Sequence, residues 1–168
     1  MEVSVDTIKT LRERTSAGVM DCKRALEDAK GDPVQAEDIL KEKGLSAIAK
    51  RIDRETKEGL VESYIHTGGR VGSLVELGCE TDFVARTSEF KELAHNLAMQ
   101  VAAMPSTSYV DRDEIKEDES RPVEEVSLLD QSFIKDPSRS VNDVVQELMA
   151  KVGENIKVRR FARFALGE

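Results

Sequence analysis

The hydrophobic periodicity of the chain changes at Gly59, which limits the fold to one joining a helical part to a mixed part. Upstream of Gly59, Val5, Ile8 and Leu11 recur at helical spacing. Thr15-Ser16-Ala17-Gly18 interrupts that helix with small residues and a glycine. Val19, Cys22, Ala25, Leu26 and Ala29 then share one side of a second helix, ended by Gly31. Asp32 is placed as an N-cap, Pro33 suits the first helical position, and Gln35 completes a capping box. The third helix is expected to bury Val34, Ile39 and Leu40 and to stop at Gly44. LSAIAKRID reads as a fourth, linking helix.

Downstream, LVESYIHT and RVGSLVELGCE are rich in β-formers and flank Gly68-Gly69, the pattern of a hairpin. Val71, Val75, Leu77 and Cys79 alternate onto one face of its second strand. After the short link TDFVART comes a helix with the stripe Phe90, Leu93, Ala94, Leu97, Val101 and Met104, ended by Pro105. Residues 106–125 are polar and acidic and read as a surface connection; VSLLDQSFIKD reads as extended. Ser140 and Asp143 cap a further helix, with Val141, Val144, Val145, Leu148, Met149 and Val152 along one side and Gly153 at its end. IKVRRFARFAL reads as a strand with Ile156, Val158, Ala162, Phe164 and Leu166 on one face. The expectation is an α+β chain. Residues 1–52 form a three-helix domain with a linking helix. Residues 53–168 form an α+β core whose helices cover a three-stranded antiparallel sheet.

Composition narrows the function classes. A net charge of −8 disfavours nonspecific binding to nucleic acid or anionic membrane. The arginines and phenylalanines of KVRRFARF run against that trend and read as a strand with its cations toward water. No apolar stretch approaches the roughly 20 residues that cross a bilayer, and no secretory signal pattern opens the chain. Cys22 and Cys79 form no CxxC pair, which suits a reducing compartment. A cytoplasmic chain is expected. His66, His95 and the two cysteines are scattered, without zinc-ligand spacing or a GxSxG elbow, and no phosphate-binding glycine loop is present. The cysteines read as packing, and the pairs Glu13/Asp21 and Glu76/Glu80 as solvated charge. The expectation is a chain that is not an enzyme and holds no cofactor or metal.

Two places stay odd. Thr81-Asp82-Phe83-Val84 puts an aromatic beside a carboxylate in a short link, where polar residues are usual. Phe83 either folds back onto the core or projects. At the start of the second helix, Met20 is offset from the core stripe and close to Lys23, while Val19 is able to face the core. This patch is either a second core face or a partner-binding surface.

Three motifs carry a family resemblance. LRERTSAGVMDCKRALEDAKGD resembles the N-terminal signature of the elongation factor Ts family, VELGCETDFVAR its second signature, and KVGENIKVRRFARF its C-terminal strand motif. The resemblance implies a ubiquitin-associated-like (UBA-like) helical domain before the α+β core. It implies a guanine-nucleotide exchange factor that promotes GDP release from elongation factor Tu during translation elongation. It also implies partner contacts: the exchange loop Thr81, Asp82, Phe83 and Val84, with Asp82 and Phe83 inserted against the partner's nucleotide-binding domain; Val19, Met20 and Lys23 of the helical module; and Val71, Gly72 and Gln100. Gln100 stands where the family often has histidine. The chain has one copy of the core and a shortened acidic connection, and short members of the family work as homodimers. Ala162 replaces a cysteine found in some of them, so a non-covalent homodimer is expected. The partner would be bound in its GDP-bound and nucleotide-free forms, with no direct nucleic acid and no membrane. The competing reading is a protein-binding adaptor that uses the helical module without exchange activity.

Overall fold

The structure is a computed structural model describing residues 3–15 and 17–168. The chain divides into two compact units, Met1–Ile52 and Asp53–Glu168. The first contains α1 (Val5–Thr15), α2 (Val19–Asp28) and α3 (Pro33–Ala49). Of the expected break at Thr15–Gly18, Ser16 lies outside the described residues. Leu11, Cys22, Ala25, Leu26, Ala29, Ala36 and Leu40 form the core of this unit, with Ile8, Ala17 and Ile39 packed against it. The α2–α3 turn uses left-handed backbone at Lys30 and Gly31, and the Gly31 N–H closes onto the Leu26 carbonyl at 2.8 Å. The Asp32 carboxylate accepts from the N–H groups of Val34 at 2.8 Å and Gln35 at 3.3 Å. Such a cap is worth about 1 kcal/mol.

Three expectations for this unit are corrected. Helix α3 does not stop at Gly44 but runs to Ala49 and takes up most of the expected linking helix. Ala36, Leu40, Gly44 and Ile48 follow one another at i+4 on its inner side, and Ile48 is buried. That burial outweighs the roughly 1 kcal/mol penalty of an interior glycine. Val34 is exposed, because the cap at Asp32 places it on the outer side of the first turn. Val5 is exposed as well.

The second unit is built on a sheet of β1 (Glu58–Ile65), β2 (Val71–Cys79) and β5 (Ile156–Ala165), in the order β1-β2-β5 and antiparallel throughout. The hairpin turns through positive φ at Gly68 and Gly69, conformations that glycine adopts without a Cβ clash. Between β2 and β5 come α4 (Asp82–Ala85), α5 (Ser88–Ala103), α6 (Val123–Val126), the short strands β3 (Ser132–Phe133) and β4 (Asp136–Ser140), and α7 (Val141–Val152). Helix α5 covers one sheet face. Its Phe90, Leu93, Ala94, Leu97 and Val101 are buried, as are Val75, Leu77 and Cys79 of β2, and the Ser73 hydroxyl donates to the Ala98 carbonyl at 2.6 Å. Helix α7 opens with a full capping box between Ser140 and Asp143 and ends at Gly153 in the left-handed region.

Strand β5 departs from simple alternation. Leu77 faces Val158 while Glu76 faces Arg160, so Arg159 is an extra, bulged residue. Its guanidinium donates to the Thr56 carbonyl and, at 3.2 Å, to the Thr56 hydroxyl. The bulge reverses parity. Ile156 and Val158 point inward before it; Phe161 and Arg163 do so after it, opposite Val75 and Ser73. Phe164 and Leu166 are thereby turned to the open face, where each is at least 70 % exposed.

The acidic connection lies largely at the surface, as expected. Residues 106–125 hold a turn at Arg112–Glu114 and one inward residue, Val110, while most of their side chains face solvent; the buried Val126, Ser127 and Leu128 follow directly after them. VSLLDQSFIKD contributes to a second, two-stranded sheet instead of one extended run. Gln100, 0 % exposed, ties α5 to this segment. Its amide nitrogen donates to Gln131 Oε1 and to the Ser132 carbonyl, both at 3.1 Å, and its oxygen accepts the Ile134 N–H at 2.7 Å. Gln100→Ala should therefore leave buried groups unpaired beside a void. We expect a loss of about 3 kcal/mol in urea unfolding, against under about 1 kcal/mol if the amide were dispensable.

Candidate functional site

Helix α4 is a single turn of four residues that directly follows β2. Thr81 is its N-cap, and its hydroxyl accepts from the Val84 N–H at 3.4 Å. Successive helical side chains point about 100° apart. With Val84 and Ala85 turned into the core, Asp82 and Phe83 are turned out. Phe83 is 85 % exposed, more than any other large apolar side chain among the described residues. Of the two readings of TDFV, the projecting one describes Phe83, and the buried Val84 is its inward anchor. Asp82 pairs with Arg86 one turn on, at 2.9 Å and in solvent. Its carboxylate is thus held loosely enough to exchange partners.

In the first unit, Val19 and Met20 are also exposed, at 51 % and 59 %. Lys23 is half-exposed and sits 3.8 Å from Glu27. The i+3 and i+4 spacings from Met20 and Val19 to Lys23 put all three on one side of α2. Val19 is therefore surface and not core, because Cys22, Ala25 and Leu26 already fill the inward side. Beside them, Asp21 pairs with Lys43, whose hydrogen bond lowers the Asp21 carboxyl below its usual range.

Val71 is half-buried at the hairpin end of β2, and Gly72 is buried. A Cβ at Gly72 would come within 2.6 Å of the terminal methyl of Ile65, an exposed side chain that would have to shift. Strand rise puts Val71 about 26 Å from Cys79, so the hairpin and the Phe83 turn lie at opposite ends of β2. Gln100, expected as a partner contact, is buried. All its polar atoms are used inside the second unit.

Other chemically capable groups are engaged locally. His66 Nδ1 lies 3.0 Å from the Tyr64 hydroxyl, and His95 Nδ1 lies 3.3 Å from Glu62. Cys22 and Cys79 are buried. Burial, then the charge of Glu154, pushes the Cys79 thiol up to about 11, the reverse of what a nucleophile needs. Glu76 pairs with Arg160 at 2.6 Å and Arg159 at 3.8 Å. Among the described residues, no group of three histidine, cysteine or acidic side chains is disposed to hold a metal ion. No helix among them is long and apolar enough to cross a membrane.

One participant escaped the sequence reading. Glu154, in the turn between α7 and β5, accepts from the N–H groups of Glu80 and Thr81, both at 3.1 Å, and from the Thr81 hydroxyl at 2.6 Å. Both partners lie inside recognised motifs, but no spacing rule links carboxylate and loop across 73 residues. The geometry also yields a stability prediction. Phe83→Ala should change unfolding free energy by less than about 0.5 kcal/mol. A loss of about 3–5 kcal/mol in the same denaturation experiment would mean that Phe83 packs inside.

Known proteins place the chain. A family model described as "Elongation factor TS" matches residues 47–121 and 119–168, and its two pieces meet within the acidic connection. The chain is 48 % identical to the chloroplastic elongation factor Ts of Guillardia theta, over 100 % of this chain and 90 % of the relative. It is 46 % identical to elongation factor Ts of Thermotoga neapolitana, over 100 % of this chain and 99 % of that one. With elongation factor Ts of Rippkaea orientalis the identity is 45 %, over 99 % and 79 %. These alignments run to 196 positions or more, longer than the 168-residue chain, so the relatives carry residues that this chain lacks. Full-length identity at this level, with a family match over the entire second unit, means that the chain belongs to the elongation factor Ts family.

Proposed function

We propose that this chain is a cytoplasmic guanine-nucleotide exchange factor for elongation factor Tu, acting in translation elongation by binding and not by bond chemistry. The observation that carries the reading is Phe83, an aromatic held in solvent on a turn anchored by Val84 and Thr81. Burying such a ring in a partner cleft contributes about 2–3 kcal/mol. Asp82 adds a directional acceptor at the rim once it leaves Arg86. Exchange requires the factor to favour the nucleotide-free partner over its GDP form, and GDP then weakens the factor reciprocally. A 10⁴-fold faster release corresponds to about 5.5 kcal/mol of such preference. Phe83 therefore supplies part of it, and the UBA-like helical module (Val19, Met20 and Lys23) and the hairpin end (Val71 and Gly72) supply further contacts. Gln100 acts indirectly, by holding α5.

A non-covalent homodimer belongs to the same reading. Its support is the sheet face opposite α5, where Val61, Ile65, Leu74, Phe164 and Leu166 are exposed together. A contiguous apolar face of this kind marks an interaction surface. The chain should sediment at twice its 18.7 kDa mass, and Leu74→Glu with Phe164→Glu should return it to monomer. Wild-type sedimentation as a monomer at tens of micromolar would contradict the assembly.

The function is tested by mixing the protein with elongation factor Tu loaded with fluorescent GDP. Micromolar protein should accelerate release, and Phe83→Ala should slow it by roughly 30-fold. No acceleration, with binding retained through residues 1–52, would favour the adaptor reading.

A further inference from the structure

We propose that Glu154 is a positioning residue for the Phe83 turn, and that the rate of nucleotide release depends on its carboxylate. The inference rests on the exchange reading above. A four-residue helix cannot sustain its own geometry, because helix nucleation is unfavourable at that length. Something outside the turn must hold it. Val84 anchors its inner side, but the strand-to-helix junction at Glu80-Thr81 has no β-ladder partner there, since pairing ends at Cys79.

Glu154 occupies that junction. One carboxylate oxygen receives the N–H groups of Glu80 and Thr81, and the other receives the Thr81 hydroxyl. That hydroxyl in turn accepts from the Val84 N–H inside the turn. The chain of bonds therefore runs from Glu154 through Thr81 to the residue next to Phe83. The hydroxyl–carboxylate bond, at 2.6 Å, has the short length of a charge-assisted bond.

The contact is reciprocal. The Glu80 carboxylate accepts the Asn155 N–H at 2.7 Å, so each segment's acid receives backbone donors from the other. Asn155 is buried, and its side-chain amide donates to the Arg54 carbonyl at 2.8 Å. Glu154 itself follows Gly153, whose left-handed backbone ends α7 and turns the chain toward β5. The anchor is thus set by a helix end and a strand start and is not a loose surface side chain. The donors lie at the surface or are half-buried and belong to no packed apolar cluster, so losing them should loosen the turn locally. Phe90, by contrast, is fixed by core packing and would not respond.

The experiment uses the full chain and elongation factor Tu carrying fluorescent GDP, with release followed against factor concentration. This separates the maximal rate from the half-saturating concentration. Glu154→Ala should lower the maximal rate about tenfold while the melting temperature stays close to wild type. Glu154→Gln keeps a carbonyl acceptor for the backbone donors and should recover part of the rate. In a Phe83→Ala background, Glu154→Ala should add no further loss, because the residue acts through the ring. Slow exchange in Phe83→Ala with wild-type rates in Glu154→Ala would overturn this proposal and leave the exchange reading standing. So would a fully additive double mutant. If Glu154→Ala fails to fold, the same cycle with Glu154→Gln decides: coupling to Phe83 supports the proposal, and independence overturns it. Wild-type exchange in Phe83→Ala would overturn both, since there would be no inserted ring to position.

Discussion

The burial of β2 between two strands and under α5 is the constraint on which the second unit depends. As the central strand it pairs with β1 from Gly72 to Cys79 and with β5 from Val71 to Cys79, so its backbone is held on both sides apart from the bulge opposite Glu76 and Leu77. Val75, Leu77 and Cys79 are sealed against α5, and Ser73 adds a hydrogen bond to the helix backbone. A strand held this way has no freedom to slip, because a one-residue shift would turn its apolar set to water. Its two ends are therefore fixed points. One presents the hairpin with Val71 and Gly72, and the other presents Thr81 and the turn bearing Phe83.

Fixing the strand makes an exposed aromatic useful. A phenylalanine in solvent on a mobile loop would tend to collapse onto nearby apolar surface and would lose conformational freedom on binding. Here Val84 is buried, Thr81 caps the turn, and Glu154 bonds the junction. The ring is presented with much of the ordering already complete. Burial of Cys79 directly beneath the junction raises its thiol and keeps it neutral, which suits a packing role.

What the sequence made legible was local. Gly68-Gly69, the Asp32 cap, the Ser140–Asp143 box and the Gly153 stop all act within a few residues, and each has a residue-type signature. Features set by distant partners were not legible. Gly44 reads as a helix stop, yet Ile48 on the same inner line carries α3 past it. The parity of IKVRRFARFAL reads as unbroken, yet a bulge at Arg159, drawn by the Thr56 carbonyl, reverses it and exposes Phe164. Gln100, named as a partner contact by its alignment with a family histidine, hydrogen-bonds to Gln131, Ser132 and Ile134 inside the unit. The candidate site divides the same way. Phe83 and Met20 stood out because their residue types are unusual for their places, and Lys23 entered through the family resemblance. Glu154 did not, because glutamate in a turn is ordinary and its partners lie 73 residues away.

In the proposed function the turn at residues 81–86 engages the partner and α5 supports the turn. Amide hydrogen exchange of the chain, free and saturated with nucleotide-free elongation factor Tu, tests it most directly. Slowed exchange is expected in peptides covering residues 81–86 and 19–23, with residues 93–101 of α5 unchanged. Unchanged exchange at 81–86, with protection appearing elsewhere on the chain, would contradict it.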